Sequence, residues 1–320
     1  MQALSVHIDE ILEQKSRGKI AIPFGCMPLI IDGLVSTWEA STKWTCDYLR
    51  RNFGVVEVTC FVASRKDRSF LQQVNRPVTL SFADFLTHVY AETDGPLLYL
   101  RIDTEHALFD ALSHDFQVPP LLEHYNASKT GIWIGEKYNV TPFHHDWWHS
   151  FLAQVSGRKR YTVVHPFEGE LLQKDWDHAA AYDLASAPYL PPDDPKLDQF
   201  ETCFEGVLEP GQVLYIPPYW FHQIETLDNG NISMPIRFDT PQSPNVPIYQ
   251  FSQGTVLRRI TNEQVRDADQ LVDVLATNRQ HFLAREHAVV EALVETRRLD
   301  TATPEILDEL DAVATAATQA

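Results

Sequence analysis

What most limits the folds open to this chain is a train of short apolar segments between residues 131 and 238, cut at intervals by turn residues. Residues 131–135, 140–146, 151–155 and 158–164 read as strands, because β-branched and aromatic residues run or alternate within them. Ser156-Gly157 separates two of these runs and predicts a hairpin. After Pro210-Gly211 the series resumes with 213–216, 221–227 and 232–238, and Asn229-Gly230 predicts a second hairpin. Short antiparallel strands of this kind close into a double-sheet barrel.

The flanks differ. Val6, Ile8, Ile11 and Leu12 share one helical face within 4–16, and 20–31 reads as a Pro-punctuated edge strand. Ser41-Thr42 opens a helix that continues through Tyr48 and Leu49 and stops at Gly54. Residues 55–63 and 97–102 read as strands, and 82–90 as a helix. Residues 166–205 are rich in Pro and Asp and read as a long loop. From about residue 255 the pattern turns helical, with apolar stripes such as Val265, Ala268, Leu271, Val272 and Leu275. The expected organisation is therefore one domain over 1–255, its barrel at about 97–240, followed by a helical unit over 256–320.

Charge removes some classes of function. Against 26 Lys+Arg stand 44 Asp+Glu, a net charge of −18. That balance weighs against a phosphate backbone or an anionic membrane as the main partner. Hydrophobic residues at 44% are enough for a sizeable core, so disorder is not expected. The first residues hold no apolar stretch of signal-peptide length, and a cytoplasmic location is expected. Cys26, Cys46, Cys60 and Cys203 form no C-x-x-C pair and read as free thiols.

Chemistry concentrates in Thr141-Pro-Phe-His144-His145-Asp146 and in the later Trp220-Phe221-His222. On a strand, His144 and Asp146 project to one face and His145 to the other. Two imidazoles and one carboxylate, with His222 arriving from a distant strand, make the donor set of a non-haem Fe(II) oxygenase and leave coordination positions open. His145 and His149 read as structural or rim residues. No nucleophile triad or phosphate loop competes with this reading.

With these motifs the chain resembles the JmjC/cupin-like Fe(II)- and 2-oxoglutarate-dependent dioxygenases, especially their asparaginyl hydroxylase and tRNA wybutosine hydroxylase branches. The matching stretches are GEKYNVTPFHHD at 135–146, FLAQVSGRKR at 151–160 and GQVLYIPPYWFHQIE at 211–225, within a likeness covering roughly 20–240. The resemblance implies a mainly β fold with helical additions: a double-stranded β-helix (jelly-roll, cupin-like) core, N-terminal α/β elements and a C-terminal helical unit. It implies Fe(II) held by His144, Asp146 and His222, which are then the catalytic centre. Lys159, Thr141 and Tyr99 match positions that hold 2-oxoglutarate, and O2 is the oxidant. Arg237 stands where an asparagine faces the co-substrate; pointing inward, it offers a second cation to the co-substrate or to an acidic substrate group. Ser150 also replaces an asparagine. With Trp147 and Trp148 it is expected to bound the substrate pocket.

The implied reaction is hydroxylation of an aliphatic C–H in a peptide or protein. The alternatives are a small amino-acid-like metabolite as substrate, or a metal-binding cupin that is not an oxygenase; nucleic acid is disfavoured by the charge. The C-terminal helices resemble a dimerisation unit, so a homodimer is expected. Much of the acidity lies in the long loop, and if that loop rims the pocket it favours a neutral or cationic substrate.

Overall fold

A computed structural model describes residues 1–16, 27–66, 68, 76–91, 94–118, 122, 124–126, 130–146, 148–165, 189–217 and 220–239. The chain divides into two compact units, and every described residue belongs to the one formed by Met1–Lys174 and Asp183–Asp239. The helices expected over 256–320 lie outside the described residues.

Fourteen strands build two sheets among the described residues. In chain order they are β1 (Leu4–His7), β2 (Leu29–Asp32), β3 (Glu57–Ala63), β4 (Arg76–Ser81), β5 (Leu97–Asp103), β6 (His124–Asn126) and β7 (Gly131–Gly135). They continue with β8 (Val140–His144), β9 (His149–Ser156), β10 (Lys159–Val164), β11 (Cys203–Leu208), β12 (Val213–Ile216), β13 (Phe221–Thr226) and β14 (Asn231–Asp239). The large sheet runs β1-β2-β12-β9-β14-β7-β5-β3-β4, with β6 also paired to β14; the small sheet runs β11-β10-β13-β8. This is the mainly β, double-stranded β-helix architecture that the sequence implies.

Both expected hairpins are corrected. The turn through Ser156-Gly157 exists, but β9 pairs with β12 and β14 in the large sheet while β10 pairs with β11 and β13 in the small one. The turn at Asn229-Gly230 likewise carries β13 of the small sheet into β14 of the large sheet. Each is an arch between layers. The glycines are required by backbone geometry, with φ of +68° at Gly157 and +63° at Gly230. At Gly230 a Cβ would also lie 2.2 Å from the Tyr90 ring.

The large sheet is covered on both faces, which is why β9 is apolar without clear alternation. Phe151, Ala153 and Val155 join the core beneath the N-terminal helices, whereas Leu152 joins Ile216, Leu214 and Tyr161 inside the barrel. The helices of the outer layer are α1 (Ile8–Ser16), α2 (Ala40–Lys43), α3 (Cys46–Phe53), α4 (Phe82–Tyr90) and α5 (Ala107–Leu112). In α4, Phe82, Phe85, Leu86 and Val89 form the buried stripe, and the Ser81 hydroxyl accepts from the Asp84 N–H at 3.1 Å. Phe85 is fully buried and stacks on Phe82 at 6.2 Å. Phe85→Ala is expected to cost about 3–5 kcal/mol, read from urea unfolding followed by tryptophan fluorescence.

Three more expectations shift. Residues 4–16 split into β1, parallel to β2, and α1. The helix opened at Ser41-Thr42 breaks at Trp44-Thr45. The buried Trp44 donates its Nε1–H to Asp115 Oδ2 at 2.8 Å, and the Thr45 hydroxyl restarts the helix by accepting from the Tyr48 N–H at 3.2 Å. The end of the long loop contains the start of β11, whose Val163↔Phe204 register fixes the small sheet's edge. Among the described residues no helix is long and apolar enough to cross a membrane.

Candidate metal centre

β8 and β13 lie side by side in the small sheet, and His144 faces His222 in the pairing register. The next pair is Ile224 with Thr141, so β8 spends one extra residue between them. That bulge falls at Pro142, which has no N–H to give to a ladder. It brings Thr141 and His144, three positions apart, onto the same inward face; simple alternation would oppose them.

The two imidazoles are set identically. His144 Nδ1 lies 2.9 Å from the carbonyl of Pro142, and His222 Nδ1 lies 2.9 Å from the carbonyl of Trp220. A carbonyl only accepts, so each Nδ1 carries a proton and Nε2 is the nitrogen each ring turns to a ligand. With Asp146 these side chains offer three ligand atoms within 4.8 Å of one another. Burial and the neighbouring His144 push the His222 imidazolium down to about 3, which keeps the ring neutral at physiological pH.

Asp146 sits beside Arg237, whose Nη2 is 2.6 Å from Oδ2. Burial opposes ionisation of this carboxyl, but the adjacent Arg237 guanidinium, the largest opposing influence, holds Asp146 below the usual carboxylate range. Arg237 therefore points inward. It lines a cleft together with Thr141, Ser150, Trp133 and the three clustered side chains.

Lys159, at the start of β10, is 2% exposed. Its Nζ lies 5.8 Å from the Tyr99 ring centroid and 5.9 Å from that of Trp133. No carboxylate among the described residues pairs with it. Burial, then the nearby Arg101 guanidinium, lower its ammonium to about 7. Tyr99 is buried on β5 with its hydroxyl bonded to Thr141, and burial raises its phenol to about 12.

The expected pocket residues separate. Ser150 lines the cleft and stands opposite Arg237 in the β9–β14 register. Trp148 is half-buried and is not among the cleft-lining residues. Trp147 lies outside the described residues. His145 turns away from the cluster and sets its ring edge against Phe221 at 5.0 Å. His149 is held in the core between Tyr215 and Phe238.

Sequence reasoning missed Arg101 and Trp133. Arg101 lies two residues beyond Tyr99 on the same strand face, with its guanidinium 5.5 Å from the Tyr99 ring and 4.9 Å from Trp133. An arginine inside the apolar run 97–102 was the available signal.

Two sheets closed into a β-helix, with two histidines and an aspartate gathered on the inner face of one of them, define a cupin-class protein with a candidate metal centre. The chain belongs to the cupin-like domain family, whose model matches residues 24–243. The resemblance to JmjC/cupin-like oxygenases is borne out by its relatives. Over 211 residues it is 29% identical to lysine-specific demethylase 8 of Xenopus tropicalis, covering 63% of this chain and 46% of that protein. Over 231 residues it is 26% identical to tRNA wybutosine-synthesizing protein 5 of Mus musculus, covering 63% and 68%. Over 211 residues it is 26% identical to Jumonji C domain-containing protein 5 of Drosophila melanogaster, covering 62% and 51%. The chain thus spans about half the length of most of these curated relatives. One relative is named for a tRNA product, so the comparisons lend no support to excluding nucleic acid on net charge.

Proposed function

We propose that this chain is an Fe(II)- and 2-oxoglutarate-dependent dioxygenase that hydroxylates an aliphatic C–H of an amino-acid residue in a peptide or protein. The observation that carries the reading is the convergence of His144, Asp146 and His222 in a barrel that also buries a lysine with no carboxylate partner among the described residues. The donor set fits the metal: two imidazoles and one carboxylate suit Fe(II) and leave sites open. The lysine fits the co-substrate, because a buried ammonium is stabilised by an incoming carboxylate.

His144, Asp146 and His222 would hold the iron; Lys159, Thr141 and Tyr99 would hold the far carboxylate of 2-oxoglutarate. When bound, the pair supplies the oxidising power, using O2 and releasing succinate and CO2. The chain's own contribution is position and dryness. The Pro142 and Trp220 carbonyls fix both imidazole tautomers. Leu152, Ile216 and Ile224 keep the cleft wall apolar, and Thr141 aims its hydroxyl beside Tyr99. No side chain needs to act as a general base.

The test is anaerobic titration of the Fe(II)-loaded chain with 2-oxoglutarate. A visible charge-transfer band is expected; its absence, with Fe(II) bound, would leave a metal-binding cupin that is not an oxygenase. Mass spectrometry of peptides and of small metabolites exposed to the enzyme distinguishes the two substrate classes by the oxygen they gain. A cytoplasmic location and a homodimer formed through residues 256–320 belong to the same proposal, and light scattering tests the second.

A further inference from the structure

This inference rests on the proposed oxygenase reading of the site. Among the described residues Arg237 is the one cationic side chain lining the cleft, and its only anionic partner is Asp146, whose carboxylate a metal would claim. Arg237 reaches the metal end of the site through its ion pair with Asp146, while Arg101 is the guanidinium that depresses Lys159; the two guanidiniums are near enough to interact. The Arg237 guanidinium lies 5.9 Å from the Trp133 ring centroid, and Ser150 is its cross-strand neighbour, adding a hydroxyl donor on the same wall.

From this geometry we infer that Arg237, assisted by Ser150, receives a carboxylate of the primary substrate and so selects acidic substrates at this cleft. A guanidinium lining the cleft matches a carboxylate, and its fork suits the two oxygens. The sequence-based expectation of a neutral or cationic substrate rested on an acidic loop rimming the pocket. The described part of that loop does not do so. Leu190 exchanges hydrogen bonds with the side chain of Gln223, at 3.1 and 2.5 Å, on the outer face of the small sheet. Leu197 and Phe200 join the apolar cluster there. The exposed acids Asp193, Asp198 and Glu201 belong to this outer segment.

The test uses the full chain loaded with Mn(II) and 2-oxoglutarate, and reads paramagnetic broadening of small probes by NMR. One pair of probes is N-acetyl-aspartate amide against N-acetyl-asparagine amide, for a side-chain carboxylate. The other is N-acetyl-alanine against its amide, for a terminal carboxylate. At least one acid is expected to bind at least tenfold more tightly than its amide, and which pair responds identifies the source of the carboxylate. Arg237→Gln is expected to erase that preference while 2-oxoglutarate affinity, measured by calorimetry, changes less than threefold. Arg237→Lys keeps the charge but loses the fork, and is expected to retain a weakened preference for acids, which guards against misfolding of the Gln variant. Equal binding of acids and amides, or an unaltered preference in Arg237→Gln, would overturn the inference. A large loss of 2-oxoglutarate affinity in Arg237→Gln would overturn it too, by assigning Arg237 to the co-substrate. If the wild-type chain takes up metal but no 2-oxoglutarate, the oxygenase reading falls and this inference falls with it.

Discussion

Lys159→Met is expected to make the metal-free chain more stable and to abolish its uptake of 2-oxoglutarate. The ammonium of Lys159 is buried against ring faces with no carboxylate among the described residues to pair with it, and burial lowers it from 10.5 to about 7. In the unfolded chain the same group titrates near its ordinary value. Between those two pH values the unfolded state holds a proton that the folded state lacks, so stability rises with pH across the window. Below the lower value the full cost is present, on the order of 5 kcal/mol for this group before relaxation and water entry reduce it. Methionine keeps most of the stem's volume without the charge. Urea denaturation at neutral pH should therefore show the variant more stable by about 2–4 kcal/mol, with a flatter dependence on alkaline pH. Calorimetry should show no heat of 2-oxoglutarate binding. A variant that is less stable at neutral pH, or that still binds 2-oxoglutarate, would contradict the placement of that group.

The second large effect concerns the histidines. His222→Ala is expected to weaken Mn(II) or Fe(II) binding by more than ~100-fold, since losing a residue that merely orients a ligand already costs ~10–100-fold. His145→Ala, one residue from His144 in the sequence, is expected to stay within about threefold of wild type, because its ring packs on Phe221 outside the cluster. Calorimetric titration of each purified variant reads the difference. Comparable losses in both would mean that the ligand set has been drawn from the wrong face of the strand.

That contrast marks how far the sequence could be read. Elements whose own residues determine them were legible: α4 spans 82–90 because its apolar spacing and Ser81 cap agree, and β7 spans 131–135 between its glycines. Strand partners were not legible. Ser156-Gly157 and Asn229-Gly230 are turn sequences whether the chain returns to its own sheet or crosses to the other. With both faces of the large sheet buried, no polar alternation remained to decide between them. Alternation did put His144 and Asp146 together and His145 apart. It could not reveal the bulge at Pro142 that adds Thr141 to that face, because an extra residue shows only against a partner strand. The orientation of Arg237 followed from its β14 register, and Arg101 was hidden by the apolar residues around it.

The arch at Asn229-Gly230 separates two kinds of side chain that a hairpin would have mixed. His144, His222, Thr141 and Lys159 all belong to the small sheet, while Trp133, Ser150, Leu152, Pro235 and Arg237 belong to the large one. In the proposed reading the small sheet thus supplies both imidazoles of the metal site, while β9 and β14 of the large sheet supply the residues that face the substrate. Substitutions at the cleft-facing positions of β9 and β14 can change what enters without replacing a proposed metal ligand, so such a chain can acquire new substrates by altering one layer at a time.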